Sequence, residues 1–215
     1  MTTLLLASAS PARLSTLRSA GLDPLVAVSA VDETRLLVAA AAAAERAGSG
    51  PVPPADQVLL LARAKARDVR EHAALARAAD VVLGCDSMLE LDGAVLGKPV
   101  DAADAVVRWR RMRGRAGVLH TGHCLLHRDG REASAASSTV VRFADLTDAE
   151  ITAYVATGEP LGVAGAFTVD GLGGPFVSGI EGDHHGVVGV SLPLLRVLLA
   201  ELGMAITDLW RPAAG

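Results

Sequence analysis

Lysine is nearly missing from this chain. Of twenty basic residues only Lys65 and Lys98 are lysines, which leaves eighteen arginines. Where guanidinium serves almost every cationic need, a retained ammonium marks a place that wants a compact, hydrated charge on a flexible stem. Aromatic residues are also scarce, 3% of 215 residues against 51% apolar, so the core is expected to be aliphatic. Neither charge sign dominates. A formal charge of -4 and a pI near 5.8 exclude the broad basic field that a nucleic acid polymer or an anionic membrane requires. They leave room for a local cationic pocket. Only Cys85 and Cys124 carry thiols, with no CxxC spacing, so neither a zinc site nor a disulfide framework is expected and a reducing compartment fits. Long hydrophobic runs are absent: the longest, Leu36 to Ala44, is too short for a bilayer and is bounded by Arg35 and Glu45. The opening TTLLLASASPA imitates the end of a signal peptide without its basic flank. The expectation is a soluble, cytoplasmic protein with no membrane partner.

What is present alternates between strand and helix. Thr3 to Ala7 reads as a buried strand, followed by a helix that Ser10 caps and Pro11 opens, running to about Leu22 with Gly21 near its end. Val26 to Val31 reads as a second strand, and the alanine run to Ala47 reads as helical. GSGPVPP is the best linker, and Asp56 is expected to cap a helix through about Ala79. Two hairpins follow from Asp-Gly turns. Val81 to Leu91 folds back at Asp92-Gly93 onto Ala94 to Gly97, and Val118 to His127 folds back at Asp129-Gly130 onto Glu132 to Phe143. Asp101 starts a helix to Met112 between them. Thr147 and Glu150 form a capping box for a helix ending near Gly158. A glycine-rich stretch, Gly162 to Gly189, precedes a last helix, Ser191 to Leu202, stopped by Gly203. Hairpins mixed with helical crossovers give an α/β class: a mixed twisted sheet with flanking helices.

Three places carry candidate chemistry. LLLASASPARLSTL delivers a strand into a helix N-terminus, where free N–H groups favour an anion; Ser8, Ser10 and Arg13 add donors. Ordinary capping is the competing reading there. Asp86 follows the apolar run VVLGC, where a carboxylate is costly unless it meets a cation, a metal or hydrogen-bond donors. It can serve as a base or as a metal ligand. In an unbroken hairpin Asp86 and Lys98 fall on opposite faces, so a bulge at Gly97, or an equivalent kink, is expected to bring Lys98 opposite Met88 and onto the face of Asp86. The third place is Asp183-His184-His185, a possible metal site on a loop, with Asp170 and Glu181 nearby. Glu33 in Asp32-Glu33 is a weaker candidate metal carboxylate. Cys85, on an apolar strand, reads as core.

Taken in order, LASASPARLSTL, Val31 to Glu33, LARAKA, GCDSMLELDGAVLGKP and AGAFTVDGLGGPFVSGIEGDHHGVVGVSLPLL resemble the Maf-type nucleoside triphosphate pyrophosphatases. The matches span nearly the whole chain. The resemblance implies a single Maf-like domain over residues 1–215, an elongated two-lobed Maf/ITPase-like fold with a central cleft, commonly dimeric. It implies hydrolysis of nucleoside triphosphates to monophosphate and pyrophosphate with a divalent cation, Mg²⁺ or Mn²⁺. By position, Asp86 becomes the proton acceptor and a metal ligand, Glu33 helps place the metal, and Ser8, Ser10, Arg13, Lys65 and Lys98 hold phosphates. The chain departs from the family at Ala12, Asp170, His184 and Gly186, which leaves base preference open. A non-hydrolytic nucleotide-binding regulator and a metal hydrolase centred on Asp183, His184 and His185 are the alternatives.

Overall fold

The computed structural model describes residues 2–211. Strand β1 (Leu4–Ala7) is buried along its whole length and pairs in parallel with β2 (Leu25–Ala27) and with β3 (Val81–Leu91). The crossover from β1 to β2 is α1 (Pro11–Ser19), and that from β2 to β3 carries α2 (Glu33–Ala47) and α3 (Pro54–His72). Strand β4 (Ala94–Leu96) folds back antiparallel on β3. Helix α4 (Ala102–Met112) precedes the long pair β5 (Ala116–His127) and β6 (Glu132–Phe143), and α5 (Asp148–Ala156) follows. Strand β7 (Val177–Glu181) pairs antiparallel with β6, then α6 (His184–Val188) and α7 (Leu192–Glu201) complete the order. The seven strands run β2-β1-β3-β5-β6-β7, with β4 on β3. This is the mixed α/β sheet with flanking helices that the sequence pattern implies.

The chain divides into two compact units. The first comprises Met1–Asp86, Thr121–Ser137 and Gly189–Gly215; the second comprises Ser87–His120 and Ser138–Val188. In the first unit the period-two alternation of the parallel strands sorts side chains onto two faces. Leu4, Leu6, Val81, Leu83 and Cys85 join the core with Leu17 of α1 and Leu195, Leu198 and Leu199 of α7. Leu5, Ala7 and Val82 face Ala62, Ala66 and Val69 of α3. Helix α3 sits very close to the strands because two glycines make room. A Cβ on Gly84 would lie 2.1 Å from the Ala62 carbonyl oxygen, and one on Gly122 would lie 2.3 Å from that of Val58.

The second unit holds a different core. Trp109 of α4, fully buried, meets Phe143, Tyr154 and Phe176 edge-on at centroid distances of 5.6, 5.5 and 6.0 Å. Its indole N–H donates to the Ala166 carbonyl at 2.8 Å. A strap hangs on Glu159, whose carboxylate accepts from the Tyr154 and Thr168 hydroxyls and from the backbone N–H groups of Leu172 and Gly173.

Several boundaries differ from the sequence reading for identifiable reasons. Helix α3 starts at Pro54 behind Pro53, so Asp56 lies in its first turn and does not cap it. It stops at His72 because Arg70 reaches ahead to the carbonyls of Ala76 and Ala79, which folds residues 74–78 into a 3₁₀ turn. Strand β2 stops at Ala27; beyond it the Ala30 N–H bonds the Asp68 carboxylate at 2.8 Å, and the ladder has no further partner. Helix α1 ends at Ser19, where Gly21 at φ +82° turns the chain so that the Leu22 N–H returns to the Leu17 carbonyl. The β3–β4 ladder keeps a plain register to the Leu89–Leu96 pair, so no bulge residue is inserted. The chain instead leaves the strand at Gly97, whose carbonyl accepts from the Gly165 N–H and the Arg108 guanidinium, and bends at Lys98. Strand β7 and helix α6 form inside the stretch read as a glycine-rich loop.

Candidate active site

The first unit gathers its polar groups at the carboxyl ends of the parallel strands, where an open α/β sheet presents ligand sites. Strand β1 runs out into Ser8 and the N-terminus of α1. Strand β2 leads to Asp32, which caps α2 by accepting from the Arg35 N–H at 2.9 Å and thereby sets Glu33 in the first turn. On β3, Val82, Gly84 and Asp86 occupy alternate positions on the side that faces α3. The buried stripe of α3 reads Val58, Leu61, Ala62, Lys65, Ala66, Val69, with Lys65 standing where helical periodicity calls for an apolar residue. The helix thus carries the ammonium inward, and the missing side chain at Gly84 lets it come close enough to reach the strand.

The result is a compact charge cluster. The Lys65 ammonium donates to Asp86 Oδ1 at 2.6 Å and pairs with Glu33 Oε1 at 2.7 Å. Lys65 and Asp86 are 8% and 7% exposed, while half of the Glu33 side chain faces solvent. Burial pushes the Asp86 carboxyl above its usual range; the Lys65 ammonium and then Arg13 oppose that rise, and Glu33 adds to it. Arg13 therefore lies within electrostatic reach of Asp86. Its guanidinium donates through Nη1 to Ser8 Oγ at 3.1 Å and through Nε to the Gly189 carbonyl at 3.0 Å. Ser8, itself buried, accepts also from the Ser10 N–H, and Ser10 Oγ caps α1 through the Arg13 N–H.

Five of the residues singled out from the sequence thus assemble in one unit: Ser8, Arg13, Glu33, Lys65 and Asp86. Ser10 is beside them as the helix cap. Lys98 belongs to the second unit, is exposed, and joins no ion pair among the described residues. Cys85 is core: burial drives its thiol up to about 12.

In the Asp183-His184-His185 stretch the carboxylate is engaged locally. Asp183 is spent on the first turn of α6, accepting from the N–H groups of His185 and Gly186 at 3.2 and 2.9 Å. Among the described residues no group of three or more His, Cys, Asp or Glu side chains could hold an ion. No helix among them is long and apolar enough to cross a membrane. Sequence reasoning missed Gly189, whose carbonyl accepts from Arg13, and His123, which accepts from the Ser191 N–H two residues further on; neither has a local pattern that marks it.

Comparison with known proteins identifies the family. A family model described as Maf-like protein matches residues 3–202. The chain belongs to the Maf-like protein family. Its Maf-like relatives include a Streptomyces avermitilis protein, 56% identical over 210 residues, covering 97% of this chain and 95% of that protein. A Salinispora tropica protein is 57% identical over 212 residues, covering 96% of this chain and 87% of its own. Both bear the name nucleoside triphosphate pyrophosphatase. A solved Mycobacterium abscessus nucleoside-triphosphatase / dITP/XTP pyrophosphatase aligns with 67% of this chain and 76% of its own at 18% identity, with a TM-score of 0.38.

Proposed function

We propose that this protein hydrolyses nucleoside 5′-triphosphates to the nucleoside monophosphate and pyrophosphate. The observation that carries the reading is the Glu33–Lys65–Asp86 cluster, with Lys65 and Asp86 buried, in the unit that also holds the Arg13–Ser8 pair. Relatives that share half or more of their residues with this chain carry that activity in their names.

The chemistry asks for a base, for positive charge along the phosphate tail, and for an ordered water. Asp86 supplies the base. Its carboxylate is held ionised against the cost of burial by the Lys65 ammonium 2.6 Å away. A water oxygen forms a bond to the α-phosphorus, its proton passes to Asp86, and the bond from that phosphorus to the bridging oxygen breaks. Pyrophosphate leaves with the electron pair. Lys65 offsets the growing negative charge, and Arg13 and Ser8, with the N–H groups at the start of α1, hold the phosphate tail. The family resemblance gives Lys98 a phosphate contact as well.

Glu33 and Asp86 are the residues that would hold a divalent cation. Glu33 and Asp86 offer two carboxylates, and Mg²⁺ usually takes one or two from protein and completes its shell with substrate phosphates and water. Bound there, the ion would neutralise phosphate charge. The Lys65 ammonium that now pairs with both carboxylates would then be available to phosphate oxygens.

The test is a panel of standard and modified nucleoside triphosphates with Mg²⁺ or Mn²⁺ in ¹⁸O-water. The expected products are ¹⁸O-labelled monophosphate and unlabelled pyrophosphate. Release of inorganic phosphate, or label in pyrophosphate, would move the attack to another phosphorus. Nucleotide binding without turnover would make the protein a regulator instead.

A further inference from the structure

We infer that His123 is a positioning residue that sets Arg13 for phosphate binding, by fixing the turn on which the guanidinium is seated. The inference rests on the phosphate role proposed for Arg13.

His123 lies in β5, fully buried, within the first unit. Its ring is committed on both sides. The Ser191 backbone N–H points at His123 Nε2 at 2.8 Å, so that nitrogen carries a lone pair and accepts. Nδ1 lies 3.0 Å from the Thr121 carbonyl oxygen, an acceptor only, so this nitrogen carries the proton. One neutral tautomer alone satisfies both contacts. A buried backbone N–H aimed at an imidazole nitrogen is an unusual choice, because carbonyls or hydroxyls normally take such groups.

What the ring holds is a short turn with two duties. Ser191 caps α7, its Oγ accepting from the Leu194 N–H at 3.2 Å. Two residues earlier, Gly189 sits at φ +125°, a backbone conformation closed to ordinary side chains, and its carbonyl accepts from Arg13 Nε. A Cβ on Gly189 would stand 3.1 Å from Arg13 Nε and 3.3 Å from Arg13 Cγ, so the guanidinium lies directly against the turn. With Nε fixed by Gly189, the guanidinium plane is fixed, and Nη1 turns to Ser8 at the start of α1. The chain of support runs from Thr121 through His123 and Ser191 to Gly189 and Arg13. A guanidinium binds phosphate well only when its fork is aimed beforehand, and this turn aims it.

The test separates aiming from folding. His123→Phe keeps a ring of similar size and removes the acceptor. The expected result is a KM for the nucleoside triphosphate raised about tenfold, the scale of one charge-assisted hydrogen bond, with kcat changed less than about threefold. His123→Gln, which restores an acceptor, recovers most of the KM. Ser191→Ala removes the helix cap but keeps the N–H that His123 holds, so it lowers thermal stability and leaves KM where it was. Combined with Arg13→Ala, His123→Phe adds little further. An unchanged KM for His123→Phe beside a raised one for Arg13→Ala overturns the inference and spares the phosphate role. No KM change for Arg13→Ala itself removes that role first. Should the Phe variant not fold, Gly189→Ala decides, since it crowds Arg13 without touching His123; an unchanged KM there also overturns the inference.

Discussion

The two units spend their unusual residues in opposite ways. Five of the six aromatic side chains, Trp109, Phe143, Tyr154, Phe167 and Phe176, lie in the second unit, and four of them contact one another edge-on around Trp109 or Tyr154. The first unit has only Trp210, which is half exposed, and builds its two clusters from leucine, valine and alanine. Yet the first unit buries an ammonium and a carboxylate, Lys65 and Asp86, while the buried polar side chains of the second, His120 and Thr139, join strands to one another and to the Asp183 backbone. A buried ion pair adds little net stability over an apolar pair of the same volume, because desolvation offsets the attraction. Its presence in the unit with the plainer core marks a site kept for chemistry. The aromatic cluster marks the place that holds the fold.

That contrast can be broken most sharply at Asp86. Asp86→Asn keeps shape and leaves Lys65 paired with Glu33, so the protein should stay folded. Turnover is expected to fall by about 10² to 10⁴, the usual worth of a positioned base. Pyrophosphate release at constant folded concentration measures it, and near-wild-type turnover would take the base role from Asp86. Next comes Trp109→Ala in the other unit. Loss of a fully buried indole with three edge-on neighbours should cost about 3–5 kcal/mol, lowering Tm by roughly 6–20 °C. Thermal unfolding reads this; a loss near zero would mean the second unit does not depend on its aromatic core. A smaller effect belongs to Thr147→Ala, which removes one half of the α5 capping box and should cost about 1 kcal/mol in chemical denaturation, with no change in turnover.

Much of this contrast was legible before any coordinates, where the signal was local. Ser10, Asp101, Thr147 with Glu150, and Ser191 all cap the helices read from them, and both Asp-Gly turns form. Lys65 was legible by its rarity, and the structure adds its place on the buried stripe of α3. What escaped was set at a distance. Strand β7 carries a glycine at its centre and shows no alternation; it exists because β6 offers it an edge. The end of α3 depends on Arg70 gripping carbonyls several residues ahead. His123 gave no sign at all, since its role follows from a hydrogen bond to Ser191, 68 residues away. The bulge expected at Gly97 is absent: the strand ends there instead, with the Gly97 carbonyl taken by Gly165 and Arg108.

The finest test of the comparison is the acid limb of the pH profile. A base must be ionised to act, so activity is lost as pH falls through the carboxyl's pKa in the folded protein. Burial raises that pKa for Asp86, and the limb should therefore lie above the ordinary aspartate range. Two charges then move it in opposite senses. Arg13 favours the carboxylate, so Arg13→Gln should shift the limb to higher pH; Glu33 disfavours it, so Glu33→Gln should shift the limb to lower pH. Loosened folding would displace both variants the same way, whereas a direct field on Asp86 must separate them. Thr147→Ala and Trp109→Ala, measured on the folded fraction, should leave the limb in place. If the Arg13 and Glu33 variants move together, the titrating group is not Asp86, and the buried pair loses its standing as the chemical centre of the first unit.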